Sequence, residues 1–209
     1  MINVMGIRLN LIKEIGEISE KRVNTIKNLV GDLLPQEITI PVGHIFTNPK
    51  TKVHLLLASG QITVGQDGPE ISPDFTVLRK FAQVVFDAFL LEDKANVVLN
   101  YTGLLNVENA MIRSLNIVSG VNEAITNNKI NGINGIGLRF FYNEEGFTGD
   151  LKIEPYVQDV NQFFVELEVS SQIGENILGI EDIFLAAEKF FNKFTNELAS
   201  FALGLTSKL

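Results

Sequence analysis

The feature that most constrains this chain is a long amphipathic stretch near its C-terminal end, from Gly179 to about Leu205. Apolar residues fall there at Ile180, Ile183, Phe184, Ala187, Phe191, Phe194, Leu198, Phe201 and Leu205. These steps of three and four place them on one face of a 3.6-residue helix. A face that carries so many phenylalanines requires a broad apolar surface to lie on. An earlier stretch, Ser72–Leu91, repeats the pattern, and Phe75, Lys80 and Phe81 recur at the spacing of Phe184, Lys189 and Phe190. Ser72 reads as the cap of that earlier helix, with Pro73 in its first turn.

The surface for these helices comes from strands. Residues 2–11 alternate, with Asn3, Met5, Ile7, Leu9 and Leu11 on one side. A helix over 16–34, stopped by Pro35, precedes a strand over 37–46, in which Pro41 implies an edge or a bulge. Further strands are predicted over 51–59 and 60–64, followed by the helix from Ser72. The second half begins with a strand over 95–102. A helix over 106–125 follows, and then strands over 136–142, 147–158 and 162–171. In the last of these Val165, Leu167 and Val169 alternate with Glu166 and Glu168, which marks an antiparallel strand with one wet face.

The predicted fold class is α+β, an antiparallel sheet packed against long helices. The elements run strand–helix–strand–strand–strand–helix twice, as units 1–92 and 95–209, which suggests an internal duplication within one domain. This order resembles the duplicated saddle of the TATA-box-binding protein family; the resemblance lies in the order of elements, not in a motif. The last third is also similar to helix-grip folds, in which an antiparallel sheet wraps one long C-terminal helix, usually around an apolar ligand cavity.

Charge and composition narrow the function. The net charge of −8 repels phosphate backbones and argues against nucleic acid as a partner, a DNA saddle included. The chain has no cysteine, which removes thiolate metal sites and cysteine nucleophiles. No charge-free window of membrane-spanning length occurs, and the N-terminal residues read as a strand rather than a signal peptide, so no membrane partner and a cytoplasmic location are expected. Codon usage implied by the many Asn, Ile and Lys residues points to a bacterial or phage source.

Few residues suggest chemistry. His44 and His54 flank a predicted turn, where cross-strand neighbours would begin a metal site lacking a third ligand; the plainer reading is two hairpin histidines. Arg8 and Arg139 both follow a Gly-Ile or Gly-Leu pair inside a strand and would suit a carboxylate or phosphate ligand; the plainer reading pairs them with Glu154, Glu166 or Glu168 on a wet sheet face. Gly132, Gly135 and Gly137 lack the order and the following helix of a dinucleotide loop. Phe184, Phe191 and Phe194 are core residues or, alternatively, the lining of a ligand cavity. No cofactor is expected. The sequence reads best as a non-enzymatic protein that binds a protein partner or itself, a homodimer in the latter case. Two alternatives remain: a carrier of a small apolar ligand in a Phe-lined cavity under the C-terminal helix, and a metal-dependent enzyme around His44 and His54.

Overall fold

A computed structural model describes residues 1–117, 125, 127, 132–171 and 177–207. The alternation at the N-terminus forms strand β1 (Asn3–Ile12), whose Ile7, Leu9 and Leu11 are buried. Helix α1 (Glu20–Val30) follows and buries Val23, Ile26 and Val30. The stretch expected as one strand over 37–46 is a hairpin of β2 (Gln36–Ile40) and β3 (Gly43–Thr47), because Pro41 sits in the turn between them and not in a bulge. β4 (Val53–Ala58) and β5 (Gln61–Asp67) complete the half-sheet. β5 runs three residues beyond its expected end at Val64, because Gly65 continues the strand.

Helix α2 (Phe75–Phe89) starts two residues later than the sequence suggests: Asp74 is the cap, its carboxylate accepting from the backbone N–H groups of Thr76 and Val77. It ends with Leu90 in the left-handed conformation, φ 54°, with Leu91 N–H returning to Phe86 O, which is the helix-closing pattern normally served by glycine.

The second half comprises β6 (Lys94–Asn106), α3 (Ala110–Ile117), β7 (Leu138–Glu144), β8 (Phe147–Pro155), β9 (Gln162–Ser171), the short β10 (Leu178–Gly179) and α4 (Ile180–Asn192). The helix expected over 106–125 is α3 up to residue 117; most of its remainder lies outside the described residues. β7 and β8 are joined by Glu145 and Gly146, both with positive φ (50° and 81°), which matches the tight turn favoured by strand twist.

The strands form one antiparallel sheet in the order β2-β3-β4-β5-β1-β6-β9-β8-β7, with β10 paired to β6. Read outward from the central β1–β6 pair, both halves wind alike among the described residues, except that the path beyond β1 holds four strands (β5 to β2) and the path beyond β6 holds three (β9 to β7). Described helices pack on the face that carries Leu9, Leu99, Tyr101, Leu151 and Leu167, and one hydrophobic cluster runs from β1 through α1, α2 and α4. The α+β class with a sheet against helices is thus the observed architecture. No described helix is long and apolar enough to cross a membrane.

The C-terminal helix differs from the expected face in an instructive way. Beyond α4 the chain winds as a π-helix (Lys193–Leu198) and then as α5 (Ala199–Ser207). From Phe190 onward the buried residues are Phe190, Phe194, Leu198, Ala199 and Ala202, with the large side chains at four-residue steps, while Phe191 is only partly buried and Phe201 is 42 % exposed. Four-residue steps overshoot an α-helical turn by about 40° each. A π turn, closed by i→i+5 bonds, turns through less angle per residue and removes that drift. Phe194 therefore stays in the core, stacked 5.9 Å from Tyr101.

Candidate functional site on the sheet face opposite the described helices

Strand alternation sends every second side chain to the face opposite the helices. The pairing register assembles those side chains into rows that cross the sheet. In the central row, Asp150, Glu168, Asn100 and Arg8 are consecutive neighbours, followed by Gly65, His54 and Thr47. A parallel row joins Arg139, Lys152, Glu166 and Thr102. The next row passes through Ser170, Val98, Asn10, Thr63, Leu56, Ile45 and Ile38. The face is thus divided. The β8–β9 wing is charged, whereas the β2–β4 wing presents Ile38, Ile40, Ile45 and Leu56.

The charged groups are held in fixed geometry. Arg139 Nε donates to both carboxylate oxygens of Asp150, at 2.9 and 3.0 Å. That forked contact holds the Asp150 carboxyl below its usual range and raises the guanidinium of Arg139. Burial pulls the carboxyl of Glu166 upward, but hydrogen bonds from Lys152 (2.8 Å) and Asn100 (3.1 Å) outweigh it and leave Glu166 below the ordinary value. Glu166 is consequently a fixed carboxylate, not a proton donor near neutrality.

On the other side of β6, Arg8 donates to Asp67 at 3.1 Å, and His54 Nδ1 lies 3.7 Å from the same carboxylate. Burial depresses the imidazole's proton affinity and nearby Arg8 lowers it further; together they outweigh the attraction of Asp67. His54 is therefore neutral at pH 7. Its ring lies over Gly65, where a Cβ would stand 2.9 Å from Nε2. Beside it, Thr63 Oγ1 and Gln61 Nε2 both donate to Asn10 Oδ1, at 2.8 and 2.9 Å. These groups line a shallow depression of about 360 Å³ whose apolar wall is Ile45 and Leu56.

Of the residues singled out in the sequence, Arg8 and Arg139 share this face but stand four strands apart, roughly 19 Å at the usual strand spacing; they do not converge on one ligand. Their partners are aspartates, not the glutamates expected. His44 and His54 are not neighbours. His44 pairs with Leu57, on the helix face, where its Nδ1 lies 3.2 Å from Glu37, while His54 is on the opposite face. The expected register placed His44 near residue 53; the loop between β3 and β4 is centred at Lys50 and Thr51, two residues beyond Asn48 and Pro49, and that moves the partner of His44 by four residues to Leu57. Among the described residues no group of three His, Asp or Glu side chains is placed to hold a metal ion. Phe184 and Phe194 are buried, and Phe191 packs edge-on against Phe75 at 5.6 Å. A separate cavity of about 300 Å³ lies under the start of α2, between Leu33, Asn48, Thr51, Gln66, Asp74 and Phe81. Asp67, Asp150, Asn10 and Thr63 escaped sequence reasoning; the alternation through Gln61, Thr63, Gly65 and Asp67 is the signal that would have found half of them.

No protein-family model matches the chain, and no curated protein matches it.

Proposed function

We propose that this protein is a non-enzymatic binding module that docks a protein partner on the sheet face opposite its described helices. The observation that carries the reading is the division of that face. One wing offers the partly exposed Ile38, Ile40, Ile45 and Leu56, and the adjoining surface offers ion pairs and amides already locked in place. Apolar contact area beside pre-ordered polar groups is the make-up of a protein-binding surface: the apolar part supplies affinity and the fixed polar part orientation. The same locking argues against acid–base chemistry, since Glu166 and Asp150 are held as carboxylates by their cations.

The test compares two substitutions in a partner-capture experiment with tagged protein. Leu56→Lys places a charge in the apolar wing, and Leu185→Lys does so at an exposed position of α4 on the far side. A specific partner should be retained by the wild type and by L185K and lost by L56K, with both variants folded. Equal retention by the two variants refutes the assignment to this face.

A further inference from the structure

The two outer edges of the sheet are not alike. β2 is short and lies between Pro35 and Pro41, neither of which has an N–H to offer a further strand. β7 has neither protection. It is paired with β8 in unbroken register from Leu138 to Glu144, contains no proline, and among the described residues pairs with no other strand. It also stands where the first half would have one strand more: residues 132–137, leading into β7, run without strand pairing. At its centre Phe141 is 69 % exposed, with the Arg139 guanidinium 4.8 Å from its ring centre. On the helix side Phe140 meets the half-exposed Phe201 edge-on at 5.2 Å. An edge left unpaired among the described residues and flanked by exposed aromatic rings is a template for strand addition.

The edge is complementary to itself. The two-residue turn at Glu145 and Gly146 makes Glu144 and Phe147 a hydrogen-bonded pair, so alternation turns the backbone groups of Arg139, Phe141 and Asn143 outward. An antiparallel pairing of two β7 strands about a two-fold axis at Phe141 would join these groups reciprocally. Phe141 would then face its own copy, Arg139 would face Asn143, and Glu144 would face Leu138. No like charges would oppose each other.

We propose that the occupant of this edge is a second copy of the chain, and that β7 is the seam of a homodimer whose two sheets are continuous. This does not depend on the partner-docking reading. The seam is narrow, so association is concentration-dependent. Sedimentation of the wild type from roughly 1 to 100 µM should show the mass rising twofold from 23.1 kDa. Phe141→Pro removes an outward N–H without touching the β8 ladder and should hold the mass at the monomer value; Phe141→Lys, which cannot disturb the core from so exposed a site, should do the same. Because the chain has no cysteine, the register is also testable. A short bis-maleimide should join F141C into a covalent dimer and leave N143C largely unjoined, since two copies of residue 143 would lie about 13 Å apart along the seam. A wild type that stays monomeric at every concentration, or a dimer unaffected by either substitution at 141, overturns the proposal. So does equal cross-linking at 141 and 143.

Discussion

Tyr101 is the largest fully buried side chain, at 0 % exposure, and its hydroxyl donates to the carbonyl of Ala187 in α4 at 2.7 Å. Replacing it by phenylalanine keeps the ring and its stack on Phe194. At neutral pH the loss should be that of one hydrogen bond, about 1 kcal/mol, because the Ala187 carbonyl keeps its place in the helix ladder. The effect should reverse in alkali. Burial raises the phenol far above its ordinary range, with Tyr142 adding to the shift, so the folded state holds a proton that the unfolded chain gives up above about pH 10. Stability tied to a raised phenol is fully present below the unfolded value and declines as pH rises above it. The wild type should therefore lose stability progressively as the pH rises above about 10 through this one group. Y101F lacks that loss. The gap between the two stability curves should close, and then reverse in favour of the variant, as the pH rises above about 10. Urea unfolding followed by circular dichroism at several pH values measures both curves. A constant difference from pH 8 to 11.5 would refute the buried, proton-retaining phenol.

Three other substitutions probe separate parts of the fold. Phe194→Ala empties a fully buried site against Tyr101 and should cost about 3–5 kcal/mol, lowering the melting temperature by about 6–20 °C; a near-neutral result in a thermal scan would contradict the π-helical placement of that ring. Leu90→Gly should stabilise by roughly 0.5–1 kcal/mol, since an 89 % exposed leucine with φ 54° gains little from its side chain; a lower urea midpoint would show that Leu90 packs against something. Gly65→Ala would bring a Cβ within 2.5 Å of the Ile7 carbonyl as well as against His54. A loss of roughly 1–3 kcal/mol in urea unfolding is expected, and unchanged stability would mean that β1 and β5 lie further apart.

Much of this arrangement was legible in the sequence where a local rule decided it. Alternation placed Val165, Leu167 and Val169 in the core and Glu166 and Glu168 outside, and helical spacing found α2 and α4. What failed needed pairing information. Pro41 is compatible with a bulge or a turn, and only the β2–β3 pairing distinguishes them. The β3–β4 pairing likewise decides the histidines: His44 pairs with Leu57 on the helix face and His54 with Thr47 on the other, which dissolves the metal-site reading. Arg8 and Arg139 were recognised as strand arginines, yet their partners Asp67 and Asp150 lie on neighbouring strands at positions that depend on register. The exchange of Phe191 for Phe190 on the buried face had a faint signal, the four-residue spacing of 190, 194, 198 and 202, which an α-helix cannot keep on one side.

The π-helical winding also gives the last helix something a plain α-helix lacks, a spare residue. Its exposed positions Asn196 and Glu197 sit where removing one residue would let the helix tighten to α while Phe190 and the apolar positions after it remain on a common side. The end of the chain can in this way change length by one position without repacking the sheet beneath it, so that stretch is the natural place for related chains to differ in length.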